Sequence, residues 1–159
     1  MFESLPDIPR LFTALAEWGA ALVYVFVVAR SASSNALNPN AAIPRWRLAA
    51  AAGGGLAVLA GAQELLGRAP LPLWVPGMMT AYALVWCVIR VGTALDWRWV
   101  THMSARAFIV AELAASLAWQ VVVYSHADKP FWHPASLLVY TAISATCLAV
   151  VYYFERRVC

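Results

Sequence analysis

The chain is dominated by apolar runs of bilayer length that are separated by short, Arg- and Pro-bearing connections, and this pattern leaves few folds open. A helix rises about 1.5 Å per residue, so roughly 20 apolar residues cross the hydrocarbon core of a membrane. Runs near that length fall at about 9–29, 48–66, 73–89, 106–124 and 135–154. With 63% hydrophobic and 12% charged residues, the chain has too few ionic groups to clothe a water-soluble surface. The expectation is one all-α domain over 1–159, an integral membrane bundle of five transmembrane helices. It would be a multi-pass protein of a cell membrane with the lipid bilayer as its first partner.

Positive charge sets the expected orientation. Arg30, Arg45, Arg47, Arg90, Arg98, Arg106, Arg156 and Arg157 gather on one side of a five-span topology, eight in all, against three on the other, Arg10, Arg68 and Lys129. The positive-inside rule then puts the amino terminus outside and the carboxy terminus inside. The net charge of +3 reflects these flanking arginines rather than a nucleic-acid footprint, so no nucleic-acid partner is expected. Trp74, Trp97, Trp99 and Trp132 sit where interfacial anchors belong, whereas Trp18, Trp86 and Trp119 lie deeper and should pack. Acidic Glu3 and Asp7 ahead of the first run argue against a cleaved signal peptide.

Within the runs, polar groups are few and therefore informative. The stretch RAFIVAELAASLAWQVVVY, residues 106–124, places Phe108, Glu112, Ser116, Trp119 and Gln120 at i, i+4, i+8, i+11 and i+12, which reads as one polar stripe. An ionised side chain at such depth costs about 2.5 to 3.5 kcal/mol on insertion scales, so Glu112 should face protein, water or a ligand. Glu17 shares a face of the first run with Thr13, Ala20 and Tyr24, while Gln63 and Glu64 close the second run at its outer rim. Glu17, Glu64, Glu112, Ser116, Trp119 and Gln120 are the candidate ligand-binding residues, lining an outward pocket for a cationic or peptide-like ligand. Arg106, six residues from Glu112 and on another face, should snorkel to the inner headgroups.

Other chemistry finds little footing. His126, Asp128 and His133 in the last connection do not make up the three or four supported ligands of a zinc site, so no metal or other cofactor is expected. Cys87, Cys147 and Cys159 form no C-x-x-C pair. No G-x-S-x-G, Walker A or H-E-x-x-H pattern occurs, and no catalysis is expected. Small residues at Ala51, Gly55, Ala57 and Gly61 are spaced for close helix contact, either within the bundle or between two chains of a homo-oligomer. Met79, Tyr82, Trp86 and Thr93 on the third run read as packing, and Ser136, Tyr140, Ser144 and Cys147 share one face of the fifth.

The segments RAFIVAELAASLAWQ and LFTALAEWGAALVYV, the latter at residues 11–25, resemble the membrane sensor segment of sensor histidine kinases with a GHKL-type ATPase domain. The resemblance implies a sensor or regulatory module of a bacterial inner membrane that detects an extracytoplasmic cue and signals to a cytoplasmic partner. It implies a sensor core of Glu17, Trp18, Arg106, Glu112, Ser116, Trp119 and Gln120. Kinase activity does not carry over, because no His follows His133 and no ATP-binding boxes are present. A small transporter or channel subunit is the competing expectation, since intramembrane acids also mark ion and proton paths.

Overall fold

The computed structural model describes residues 10–34, 43–68, 70–93, 95–125 and 133–158. Among them all regular structure is helical: α1 (Arg10–Ser34), α2 (Arg45–Ala49), α3 (Gly55–Leu66), α4 (Trp74–Thr93), α5 (Trp97–Ser125) and α6 (Pro134–Val158). A π-helical turn, Ala50–Gly54, joins α2 to α3 into one span, and a short 3-10 turn, Leu71–Leu73, precedes α4. Five helical segments are thus long and apolar enough to cross a membrane, as the runs predict.

Several helices overrun the expected spans, and the largest difference is at α5. The stretch preceding Arg106 reads as a connection because it is rich in Trp, Arg and His, yet it is helical from Trp97. Asp96 caps it. Its carbonyl accepts from Val100 N at 3.1 Å and its carboxylate from Arg98 N at 3.4 Å. The chain therefore turns from α4 into α5 within a few residues, and Arg90 donates to the Leu95 carbonyl across that turn.

Helix α1 is the axis of the bundle, packing on α3, α4, α5 and α6. Half of its most apolar window is buried, against a third or less in every other span. Phe12 meets the Tyr140 ring at 4.8 Å at one end, and Tyr24 reaches Glu155 at the other, so α1 and α6 run in the same direction. Helix α5 runs against both. Its inward face is Val100, Ser104, Ala107, Ala111, Ala114, Ala115, Ala118 and Val122, whose small side chains let the backbone approach α1 closely.

The second span turns one face inward through its π turn and the helix that follows. Its buried residues are Ala51, Gly55, Leu59 and Gln63, spaced by four; the π turn keeps the first step in line, and the next two drift by about 40° each around an ordinary α-helix. The small-residue reading holds for half of its members. A Cβ on Gly55 would meet Val88 Cγ2 at 3.0 Å, and one on Gly92 would meet Val25 Cγ2 at 2.7 Å and Ala51 Cβ at 3.2 Å. Ala57 and Gly61 face outward, and nothing lies within 4 Å of a Cβ on Gly61. On α4, Tyr82 and Trp86 pack toward α5 as expected, with Trp86 Nε1 donating to Thr101 Oγ1 at 3.1 Å. Met79 is exposed and Thr93 buried.

Candidate functional site in the polar core

Glu17 lies two turns into the most enclosed helix, α1, and is 0% exposed. Gln63 Nε2 donates to Glu17 Oε1 at 2.8 Å, joining the first and second spans. Glu17 Oε2 is buried with no hydrogen-bond partner, and the same is true of Glu112 Oε1. Glu112 stands within electrostatic reach of both Glu17 and Tyr140. Two acids from α1 and α5 thus face a common interior bordered by the Ser144 and Tyr140 face of α6. Ser136, 0% exposed and with its hydroxyl also unsatisfied, lies two helical turns from Ser144 on that face.

Among the described residues, no cation accompanies the acids. The ion pair that forms there is elsewhere, between Arg106 and Glu155, where Arg106 Nη1 also donates to Glu155 Oε2 at 3.2 Å. Tyr24 donates to Glu155 Oε1 at 3.1 Å, so one buried carboxylate holds α1, α5 and α6 together at the end of the bundle opposite the α3–α4 turn. The reading of Arg106 as a residue that snorkels to the inner headgroups did not include this partner. The sequence carries Glu155 beside two arginines in the last helical turn, where it reads as tail.

The candidate residues divide. Glu17 and Glu112 stand on α1 and α5, which pack on each other. Glu64, Ser116 and Gln120 are exposed, and Trp119 is half-buried. The single stripe through Glu112 fails for a geometric reason: steps of four residues advance about 40° beyond a full turn, so a line from Phe108 to Gln120 swings from the flank of the alanine face to the outside of α5. Glu112 lies on the flank, and the residues beyond it do not follow it inward. Glu112 rather than Gln120 is the α5 group within reach of Glu17.

Gln63 is the residue that sequence reading misplaced most. Its position at the end of an apolar run suggests a wet rim, but it is 5% exposed and bonded to Glu17. The four-residue series from Ala51 was the signal that could have found it. Gln63 also lines a cleft of about 140 Å³ with Arg10, Leu66, Trp74, Gly77 and Met78, at the end of the bundle that carries the α3–α4 turn. His126 and Asp128 lie outside the described residues, and His133 Nδ1 accepts from Ala135 N at 3.3 Å. Among the described residues, no three His, Cys, Asp or Glu side chains come together as a metal site. Comparison with known families, with curated proteins and with solved structures returns no match.

Proposed function

We propose that this chain is a membrane-embedded sensor or regulatory module that reads an extracytoplasmic cation through Glu17 and Glu112 and signals to a cytoplasmic partner. The observation that carries the reading is a fully buried acid, Glu17, and a half-buried one, Glu112, without a cationic side chain, each with a buried oxygen that lacks a hydrogen-bond partner. Intramembrane acids are costly, and their retention is explained when a bound positive charge completes them. The arginine asymmetry supports an outer amino terminus, which puts the Gln63 cleft on the outside. The same three helices that border the acids are tied at their far ends through Glu155, so a shift at one end has a stiff route to the other.

The test uses the full chain in nanodiscs, its cysteines replaced, with spin labels beyond Tyr24 on α1 and beyond Glu155 on α6. Acidification, sodium and a lysine-rich peptide are applied in turn. A label distance that changes with one of them, and no longer changes in Glu17→Ala or Glu112→Ala at equal expression, is the expected result. A response identical in both variants removes the acids from the mechanism.

The second reading, a small transporter or channel subunit, draws on the further buried hydroxyls of Ser144 and Ser136 along α6, which extend the polar groups beyond the acid pair. Flux into proteoliposomes that depends on Glu112 favours transport; cation binding without flux favours sensing.

A further inference from the structure

We infer that Glu17 and Glu112 together hold one exchangeable proton, and that the cation this site reads is the proton itself, reaching it past Gln63 from the cleft beside Arg10. The inference rests on the sensing site proposed above and names its ligand. Around Glu17 the neighbouring elements supply Gln63 from α3 and Glu112 from α5. Tyr140 and Ser144 of α6 border Glu112. Helix α4 turns Val85 and Ile89 to the core and brings no charge there. Arg10 is on the far side of Gln63, in the cleft.

In that setting burial itself works against an ionised carboxylate, and two of them would further repel each other in a medium that screens weakly, with the Gln63 amide as donor to one of them. A proton removes one charge and converts one orphaned oxygen into a donor for another. A metal ion would need more. Hard cations take about six or more oxygens, and among the described residues no third acid, His or Cys joins Glu17 and Glu112. Exchange is a simple transfer: the proton comes from water in the outer cleft, binds a carboxylate oxygen, and returns to that water on release. Gln63 is the residue shared by cleft and acid pair, so it sets the rate of exchange.

The measurement is infrared titration of the full chain in nanodiscs, with glutamate carboxyl carbons isotopically labelled so that wild type can be read without mutation. One labelled protonated-carboxyl band should convert to carboxylate as the pH rises, with one proton released per chain. It should be lost in Glu17→Gln and convert at lower pH in Glu112→Gln, which removes the like charge but leaves Glu17 buried, and Gln63→Ala should speed its hydrogen–deuterium exchange at least tenfold. Absence of any titrating band in labelled wild type overturns the inference. So does release of two protons, or displacement of the proton by sodium at fixed pH, which would make a metal cation the ligand. If the band behaves as stated while label distances ignore pH, the proton site stands and the sensing role falls; a distance response to peptide alone, without the band, does the reverse.

Discussion

Removing Arg106 should destabilise the bundle far more than neutralising its partner. Glu155 has a side chain 6% exposed, and Arg106 one that is 47% exposed. Breaking a buried pair by removing one member typically costs about 3 to 5 kcal/mol, because the other charge is left buried and unpaired. Here water reaches half of the arginine, and Tyr24 still donates to the stranded carboxylate, so Arg106→Ala should cost about 2 to 3 kcal/mol. Glu155→Gln leaves a cation that can turn to water, and should cost about 1 kcal/mol. The double variant should resemble Glu155→Gln, giving a coupling energy of about 2 to 3 kcal/mol, because once the buried charge is gone the arginine has little left to neutralise. Reversible unfolding in mixed micelles, followed by tryptophan fluorescence and far-UV circular dichroism, reads all four corners of the cycle. Equal costs for the two single variants, or effects that simply add, would refute the account of Glu155 as a buried charge held by Arg106.

The same unfolding assay addresses two further sites. Gln63→Leu keeps the volume but strips Glu17 of its donor, and should cost about 1 to 3 kcal/mol; adding Glu17→Leu should recover most of the loss, since an apolar pair leaves no unsatisfied group. Gly92→Ala should destabilise by about 1 to 2 kcal/mol, because its Cβ lands 2.7 Å from Val25 Cγ2. Gly61→Ala, in open space, should be neutral or gain up to about 1 kcal/mol from helix propensity. A matching sign at the two glycines would contradict the assigned packing.

The spans were legible because length and hydropathy report directly on what a bilayer accepts: every apolar run became a helix. Their ends were less so. The segment 97–105 looks polar enough for a loop, and only Asp96 as a cap marks it as a helix start. Inward faces were harder still. Glu17 and Glu112 could be picked out, since a carboxylate in an apolar run has few places to go. The partners were harder, because Gln63 closes its apolar run and only the four-residue series from Ala51 points it inward, and Glu155 depends on Arg106 and Tyr24 arriving from helices distant in sequence. Periodicity of 3.6 describes an isolated regular helix; it does not say which flank a neighbour will cover.

The most enclosed helix is also the earliest described one to be synthesised, and this has a bearing on assembly. Glu17 sits 46 residues ahead of Gln63. At translation rates of about 5 to 20 residues per second, α1 waits for several seconds before that amide exists, and longer for Glu112. During this interval the newborn helix must keep its acid away from lipid, by staying beside the insertion machinery or by entering neutral. Biogenesis of the bundle is therefore tied to the timing of its second and fourth crossings, and slowing translation between α1 and α3 should lower the yield of inserted chain.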